Sequence, residues 1–141
     1  MAAVRNRDTK PELTLRRELH RRGLRYRVRS GLFGKPDLVF PSARLVVFVD
    51  GDYWHGNTWR LRGYASLQAY CSTISNGDFW YQKISTNVSR DDKVNETLRS
   101  EGWRVLRIWE SDIQASLEAT ADLVEGSVRS ENHATKGARA A

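Results

Sequence analysis

The run Leu45-Val46-Val47-Phe48-Val49 constrains this chain more than any other segment, because consecutive apolar residues leave it no polar face. A strand with one wet face alternates apolar and polar side chains, so an unbroken run reads as a central strand covered on both faces. The rest of the chain has to supply a layer on each side of it. Thr9-Lys10-Pro11-Glu12 is a helix start, with Thr9 as N-cap, Pro11 in the first turn and Glu12 placed to close a capping box. Gly23 ends that helix. Leu24 to Arg29 alternates apolar and basic residues, which predicts a half-buried strand carrying Arg25, Arg27 and Arg29 on an outer face suited to phosphate.

After Gly31 to Gly34, the runs Pro36 to Phe40 and Arg44 to Asp50 are separated only by Pro41-Ser42-Ala43, which predicts a hairpin. Residues 56–78 lack clean periodicity and read as a long surface loop. Phe79 to Glu101 is a long helix with Trp80, Ile84, Val88 and Leu98 on one stripe, ended by Gly102. Trp103 to Glu110 is a further strand, and Ser111 to about Val128 a last helix. The expected architecture is a single α/β domain over residues 1–128, a mixed central β-sheet flanked by helices, followed by a disordered tail over 129–141.

Composition narrows the partners. At 141 residues there is room for one core, and Lys plus Arg exceed Asp plus Glu by 23 to 17. A net charge of +6 favours a polyanion, nucleic acid first, although charge also serves solubility. The single cysteine, Cys71, excludes an internal disulfide framework, and the polar start Met1 to Arg7 has no signal-peptide core, so a cytoplasmic location is expected. The apolar run Leu45 to Val49 falls far short of the roughly 20 residues that span a bilayer, so no membrane role is implied.

Several residues do not fit a purely structural pattern. If Phe40 pairs with Leu45, Asp37 lies opposite Phe48 and Asp50 becomes its diagonal neighbour on the same face, about 7 to 8 Å away. One divalent ion can bridge two carboxylates so placed. A loop of the other parity puts Asp50 on the opposite face, and both acids also read as ordinary strand-end residues. Asp91 falls within the apolar arc of the long helix, where a carboxylate needs a His, an Arg or a metal. His55, at the exit of the central strand, is the candidate partner; paired, it is a plausible general base whose tautomer Asp91 fixes. Tyr53-Trp54 and Trp80 read either as core and lid residues or as base-stacking wedges. Glu12 reads equally as a cap and as a catalytic acid.

In order, Arg7 to Glu12, Lys35-Pro36-Asp37, Phe48 to His55, Phe79 to Ile84, Asn87, Arg90-Asp91 and Gly102 to Leu106 closely resemble the very short patch repair (Vsr) mismatch endonucleases, a likeness running from Met1 to about Glu110. The resemblance implies a restriction-endonuclease-like fold and nicking of the thymine strand beside a T:G mispair in bacterial DNA repair, at the nucleoid. It implies that Asp37 and the backbone carbonyl of Val49 hold Mg2+, that His55 and Asp91 activate and orient water, and that Glu12 is a supporting acid. Tyr53, Trp54 and Trp80 become an aromatic wedge, and Met1 enters the minor groove. Asp50 stands where family members carry a second active-site histidine, which makes it a candidate direct metal ligand. The positions matching the family's structural zinc site are Asp52, Asn57, Trp59 and Ser111, so no zinc is expected. Residues 56–78 are longer than in the family.

The partner implied is double-stranded, mispaired DNA, bound by a monomer, since one mispair needs no twofold symmetry. Two alternatives stay open at this level. One is a restriction-like nuclease of the same fold acting on other or modified sites; the other is a non-catalytic sensor of distorted DNA.

Overall fold

The computed structural model describes residues 8–130, in the order α1 (Lys10–Arg21), β1 (Leu38–Phe40), β2 (Leu45–Asp50), α2 (Thr58–Leu61), α3 (Leu67–Cys71), α4 (Gly77–Ser100), β3 (Arg104–Trp109), α5 (Glu110–Ala115) and α6 (Leu117–Arg129). Met1 and residues 131–141 of the expected tail lie outside the described residues. The three strands form one mixed sheet in the order β1-β2-β3, antiparallel between β1 and β2 and parallel between β2 and β3. The apolar run Leu45 to Val49 is thus the central strand, as its composition requires.

Each face of the sheet has its own cover. Leu38, Phe40, Leu45, Val47, Leu106 and Ile108 pack against Leu15 and Leu19 of α1 and Ala121 and Val124 of α6. On the opposite face, Val39, Val46, Phe48 and Val105 meet Val94 and Leu98 of α4. Arg22 fastens α1 to α6, its Nη1 bonded to Asp122 at 2.7 Å and to Glu125 at 3.2 Å. The parallel pairing of β2 with β3 requires a crossover, and α4 provides its return leg.

The first helix follows its sequence signals. Thr9 Oγ1 accepts from the Glu12 N–H at 3.4 Å, and Gly23 takes φ +88° just beyond the Arg22 C-cap. The capping box closes differently from expectation, because Glu12 Oε1 accepts from the N–H of Asp8 at 3.2 Å.

Three expectations are corrected. Leu24 to Arg29 is not a strand: only Arg27 pairs, in an isolated bridge to Val39. The reason lies in β1, which Pro36, lacking an N–H, and Lys35, at φ +53°, restrict to three residues. The alternation survives as burial, with Leu24 buried, Tyr26 and Val28 half-buried and the three arginines exposed. Residues 56–78 contain the short helices α2 and α3, of 4 and 5 residues, too brief to show a helical period. The last helix is broken at Ser116, whose extended backbone ends α5 while its Oγ caps α6 by accepting from the Ala119 N–H at 3.1 Å.

Two further details concern α4. It starts at Gly77 rather than Phe79, and a Cβ on Gly77 would stand 1.9 Å from the Cys71 carbonyl oxygen, so only glycine permits this close approach. Its buried stripe is Ile84, Val94 and Leu98, with Val88 38 % exposed.

Candidate active site

The site is built where β2 ends. Phe40 pairs with Leu45, Val39 with Val46 and Leu38 with Val47, where the regular register ends. The Asp37 N–H donates to the Val47 carbonyl at 3.0 Å, and the Asp37 carboxyl is hydrogen-bonded to that of Glu12 on α1, so the expected pairing of Asp37 with Phe48 is not formed. Asp37 and Asp50 are both buried. Asp37 Oδ2 accepts the Val49 N–H at 2.7 Å, continuing the β1 side of the ladder with a side chain. Alternate residues of a central strand turn both backbone polar groups toward the same neighbour, so the Val49 carbonyl also faces the Asp37 side. Burial chiefly, then the charges of Glu12 and Asp50 and a hydrogen bond with the Glu12 carboxyl, outweigh the Val49 N–H and push Asp37 up to about 7. Glu12, 1 % exposed, is held by Arg16, which also bonds Asp8 Oδ1 at 2.8 Å.

On the β3 side, His55 Nδ1 is hydrogen-bonded to Asp91 Oδ2 across 36 residues of sequence and lies 3.9 Å from Asp50 Oδ1. The inward Asp91 thus finds the partner its helix face requires. Burial disfavours the imidazolium, but the Asp91 hydrogen bond and the charges of Asp50 and Asp91 together prevail and hold His55 above the ordinary histidine value. With Nδ1 engaged, Nε2 is the nitrogen left for proton transfer. A cavity of about 180 Å³ lies beside His55 and Asp91, and a second of about 390 Å³ extends from His55 toward Trp59 and Ser85.

Tyr53, Trp54 and Trp80 form one cluster, with ring centroids 5.2 to 5.6 Å apart, and Phe79 adds an edge contact to Trp80 at 5.1 Å. All three of the expected wedge residues are half-buried, while Phe79 is 60 % exposed. Asn87 Nδ2 donates to the Trp54 carbonyl at 3.0 Å and ties this cluster to α4. Arg25, Arg27 and Arg29 are exposed on the segment beside β1. Arg29 reaches Asp8 at 3.7 Å, which links that basic segment through Arg16 and Glu12 to Asp37.

Asp52, Asn57 and Ser111 are joined by side-chain hydrogen bonds. Asp52 Oδ1 accepts from Asn57 Nδ2 at 2.7 Å and from Ser111 Oγ at 2.6 Å, and Oδ2 accepts from the Ser111 N–H at 3.0 Å. This clasp fastens the segment after β2 to the start of α5. Trp59 is outside it, stacked against the Arg60 guanidinium at 5.0 Å.

The donor set suits a divalent cation. Asp50, His55 and Asp91 offer ligand atoms within 4.8 Å of one another, and a cation beside Asp37 would oppose the burial and the two neighbouring acids that hold its pKa up. Sequence reasoning missed Arg107 and Asn95. Arg107, buried on β3, donates from Nη1 to both oxygens of Asp50 at 3.0 and 3.1 Å and from Nε to Asn95 Oδ1 at 2.7 Å. The available signal was the order Val105-Leu106-Arg107-Ile108, a charge enclosed by apolar neighbours in the strand.

Residues 1–61 match the profile described as DNA mismatch endonuclease Vsr. Along nearly its whole length the chain is also similar to curated proteins, and the E. coli enzyme decides the family: it is a DNA mismatch endonuclease Vsr, 34% identical over 121 residues, covering 85% of this chain and 72% of the relative. The chain belongs to the Vsr family of DNA mismatch endonucleases. It is 41% identical over 134 residues to the type II nicking enzyme V.HpaIIP of Haemophilus parainfluenzae, covering 91% of this chain and 90% of that protein. The type II nicking enzyme V.NmeDIP of Neisseria meningitidis serogroup C is 39% identical over 137 residues, covering 96% and 88%. Membership in the Vsr family makes the chain a DNA endonuclease acting on a DNA substrate. Among the described residues, no helix is long and apolar enough to cross a membrane.

Proposed function

We propose that this endonuclease nicks duplex DNA beside a T:G mispair, as a magnesium-dependent monomer with a restriction-endonuclease-like fold. The observation that carries the reading is the segment Tyr53-Trp54-His55, which sets an aromatic cluster directly beside a histidine bonded to Asp91. Cutting and reading of distorted DNA thereby share three consecutive residues. Aromatic side chains that enter a base step must unstack it, which is easier at a mispair, so the cluster favours mispaired over matched duplex.

Asp37 and the Val49 carbonyl are the groups that would hold the metal. When bound there, Mg2+ would acidify a coordinated water and offset charge on the phosphoryl oxygens. His55 takes the proton of the attacking water at Nε2, and Asp91 fixes the ring and stabilises the imidazolium that results. Glu12 supports Asp37 by bringing a second acid to the same buried position. Arg25, Arg27 and Arg29 meet phosphates of the backbone, which gives affinity without sequence information.

Strand-labelled T:G, matched and methylated duplexes resolved on denaturing gels test this. The expected result is a nick in the thymine strand with Mg2+ and none with chelator. Equal cutting of matched duplex would overturn the mispair reading in favour of a restriction-like nuclease. That second reading is supported by the likeness to type II nicking enzymes. Binding without scission under any divalent metal would leave only a sensor of distorted DNA, a reading that family membership disfavours.

A further inference from the structure

Arg107 stands at the middle of β3, paired in register with Phe48. Its residue exposure is 5 %, and its guanidinium carbon sits 4.0 Å from the centroid of the Phe48 ring. Nη1 donates to both Asp50 oxygens and lies 3.4 Å from Asp91 Oδ1, while Nε donates to Asn95. One side chain thus ties the end of β2, the middle of α4 and β3 together. As a source of stability this is a poor choice, since apolar side chains of similar volume commonly pack a buried site as well as or better than an ion pair. The explanation has to come from the chemistry around it.

That chemistry presents a competing demand. Asp50, His55 and Asp91 form a set that can hold a metal ion, and the atom His55 would contribute to it lies within the same 4.8 Å group. A divalent ion there would draw on the donors that now orient the ring, and the Nδ1 bond to Asp91 could not persist alongside coordination through that nitrogen. We propose that Arg107 is a positioning residue, a built-in cation that satisfies the Asp50/His55/Asp91 group and thereby keeps divalent metal out of it, preserving the His55–Asp91 pair.

Arginine suits the task. Its charge is permanent, and its planar fork reaches Asp50 and Asn95 from different nitrogens while lying on an aromatic face. The inference rests on the proposed function only in taking His55 as the residue that handles the proton. It does not depend on which DNA is cut.

The test uses the full chain and two variants, Arg107→Gln, which keeps hydrogen bonding without charge, and Arg107→Lys, which keeps charge. Circular dichroism verifies folding. Zn2+ is titrated calorimetrically without DNA, so this arm is independent of the target. Arg107→Gln is expected to bind one more Zn2+ per chain than the wild type, and adding His55→Ala is expected to abolish that extra ion. Arg107→Lys is expected to keep the wild-type stoichiometry. On whichever duplex the wild type cuts, Arg107→Gln should lower kcat about a hundredfold with KM changed less than about threefold, and Arg107→Lys should restore at least about a tenth of wild-type kcat. Folded Arg107→Gln with no extra Zn2+ overturns the proposal, as does an extra ion in Arg107→Lys. A raised KM with unchanged kcat also overturns it, because Arg107 would then serve DNA binding. If Arg107→Gln fails to fold, Arg107→Met, which also removes the charge and can still lie on the Phe48 ring, takes its place and is judged by the same criteria. Failure to nick T:G duplex with these metal results intact would overturn the target reading alone.

Discussion

Asp37 stands just before β1 and Asp50 ends β2, and both are buried, yet they are compensated in different ways. Asp50 accepts two hydrogen bonds from the permanently charged Arg107. Asp37 accepts from the neutral N–H of Val49 and faces the negative charges of Glu12 and Asp50. The difference teaches how one buried pocket can hold several acids without losing its shape: one carboxylate is neutralised from within, and the other is left to be neutralised from outside. Removal of each charge should therefore have different consequences.

The largest effect is expected at Asp37. Asp37→Asn should lower nicking by at least about a thousandfold, the loss typical of a group acting at the transition state. The same change should stabilise the metal-free protein at pH 8. The folded pKa is raised to about 7 from the ordinary 3.8, so the stabilisation from the bound proton is complete below about pH 4 and is lost as pH rises through 7. Melting curves should show the variant more stable than the wild type at pH 8 by several degrees, with a much smaller difference at pH 5. Equal melting temperatures at pH 8 would break the comparison, since Asp37 would then be as well compensated as Asp50.

Asp91→Asn should come next, with kcat reduced about a hundredfold. Asp91 raises the pKa of His55, so its loss should move the acidic limb of the pH–rate profile to lower pH. An unmoved limb would mean that the titrating group is elsewhere. His55 also contributes to stability while protonated, an advantage present below the unfolded histidine value and lost as pH rises through the higher folded one.

Trp80→Ala should weaken binding to mispaired duplex about tenfold, the scale of one lost stacking contact, with less change on matched duplex. Equal losses on both would detach the aromatic cluster from mispair reading. The smallest effect on activity is expected at Asp52, which serves the fold. Asp52→Ala should leave kcat within about threefold while destabilising the chain by about 2 kcal/mol in urea unfolding, because it strips bonding partners from Asn57 and Ser111.

The readable parts of this chain were those governed by local rules. Thr9, Pro11 and Gly23 marked both ends of α1, and the loop Pro41-Ser42-Ala43 was compatible with the pairing Phe40 to Leu45 that closes the hairpin. Asp91 was legible because a charge on an apolar helix face requires a partner. The unreadable parts depended on neighbours distant in sequence. Leu24 to Arg29 has the alternation of a strand, but pairing was limited by how little of β1 was available to it. Arg107 sits in a segment that reads as a strand, and only the folded chain shows that this strand position faces Asp50 and Asn95. Ser116 carried a cap signal, yet helical propensity on both sides concealed the break.

The parallel pairing of β2 with β3 also has a consequence in time. Leu45 pairs with Arg104 and Asp50 with Trp109, so the strands that frame the site meet only after the whole crossover has been made. Long-range parallel contacts form late, because the chain between them must be closed first. During synthesis, a ribosome that has released the hairpin and His55 has not yet released Arg107 or the α6 surface that anchors α1 through Arg22. The nascent polypeptide therefore carries Asp37, Asp50 and His55 before β3 and α6, which frame them, have emerged.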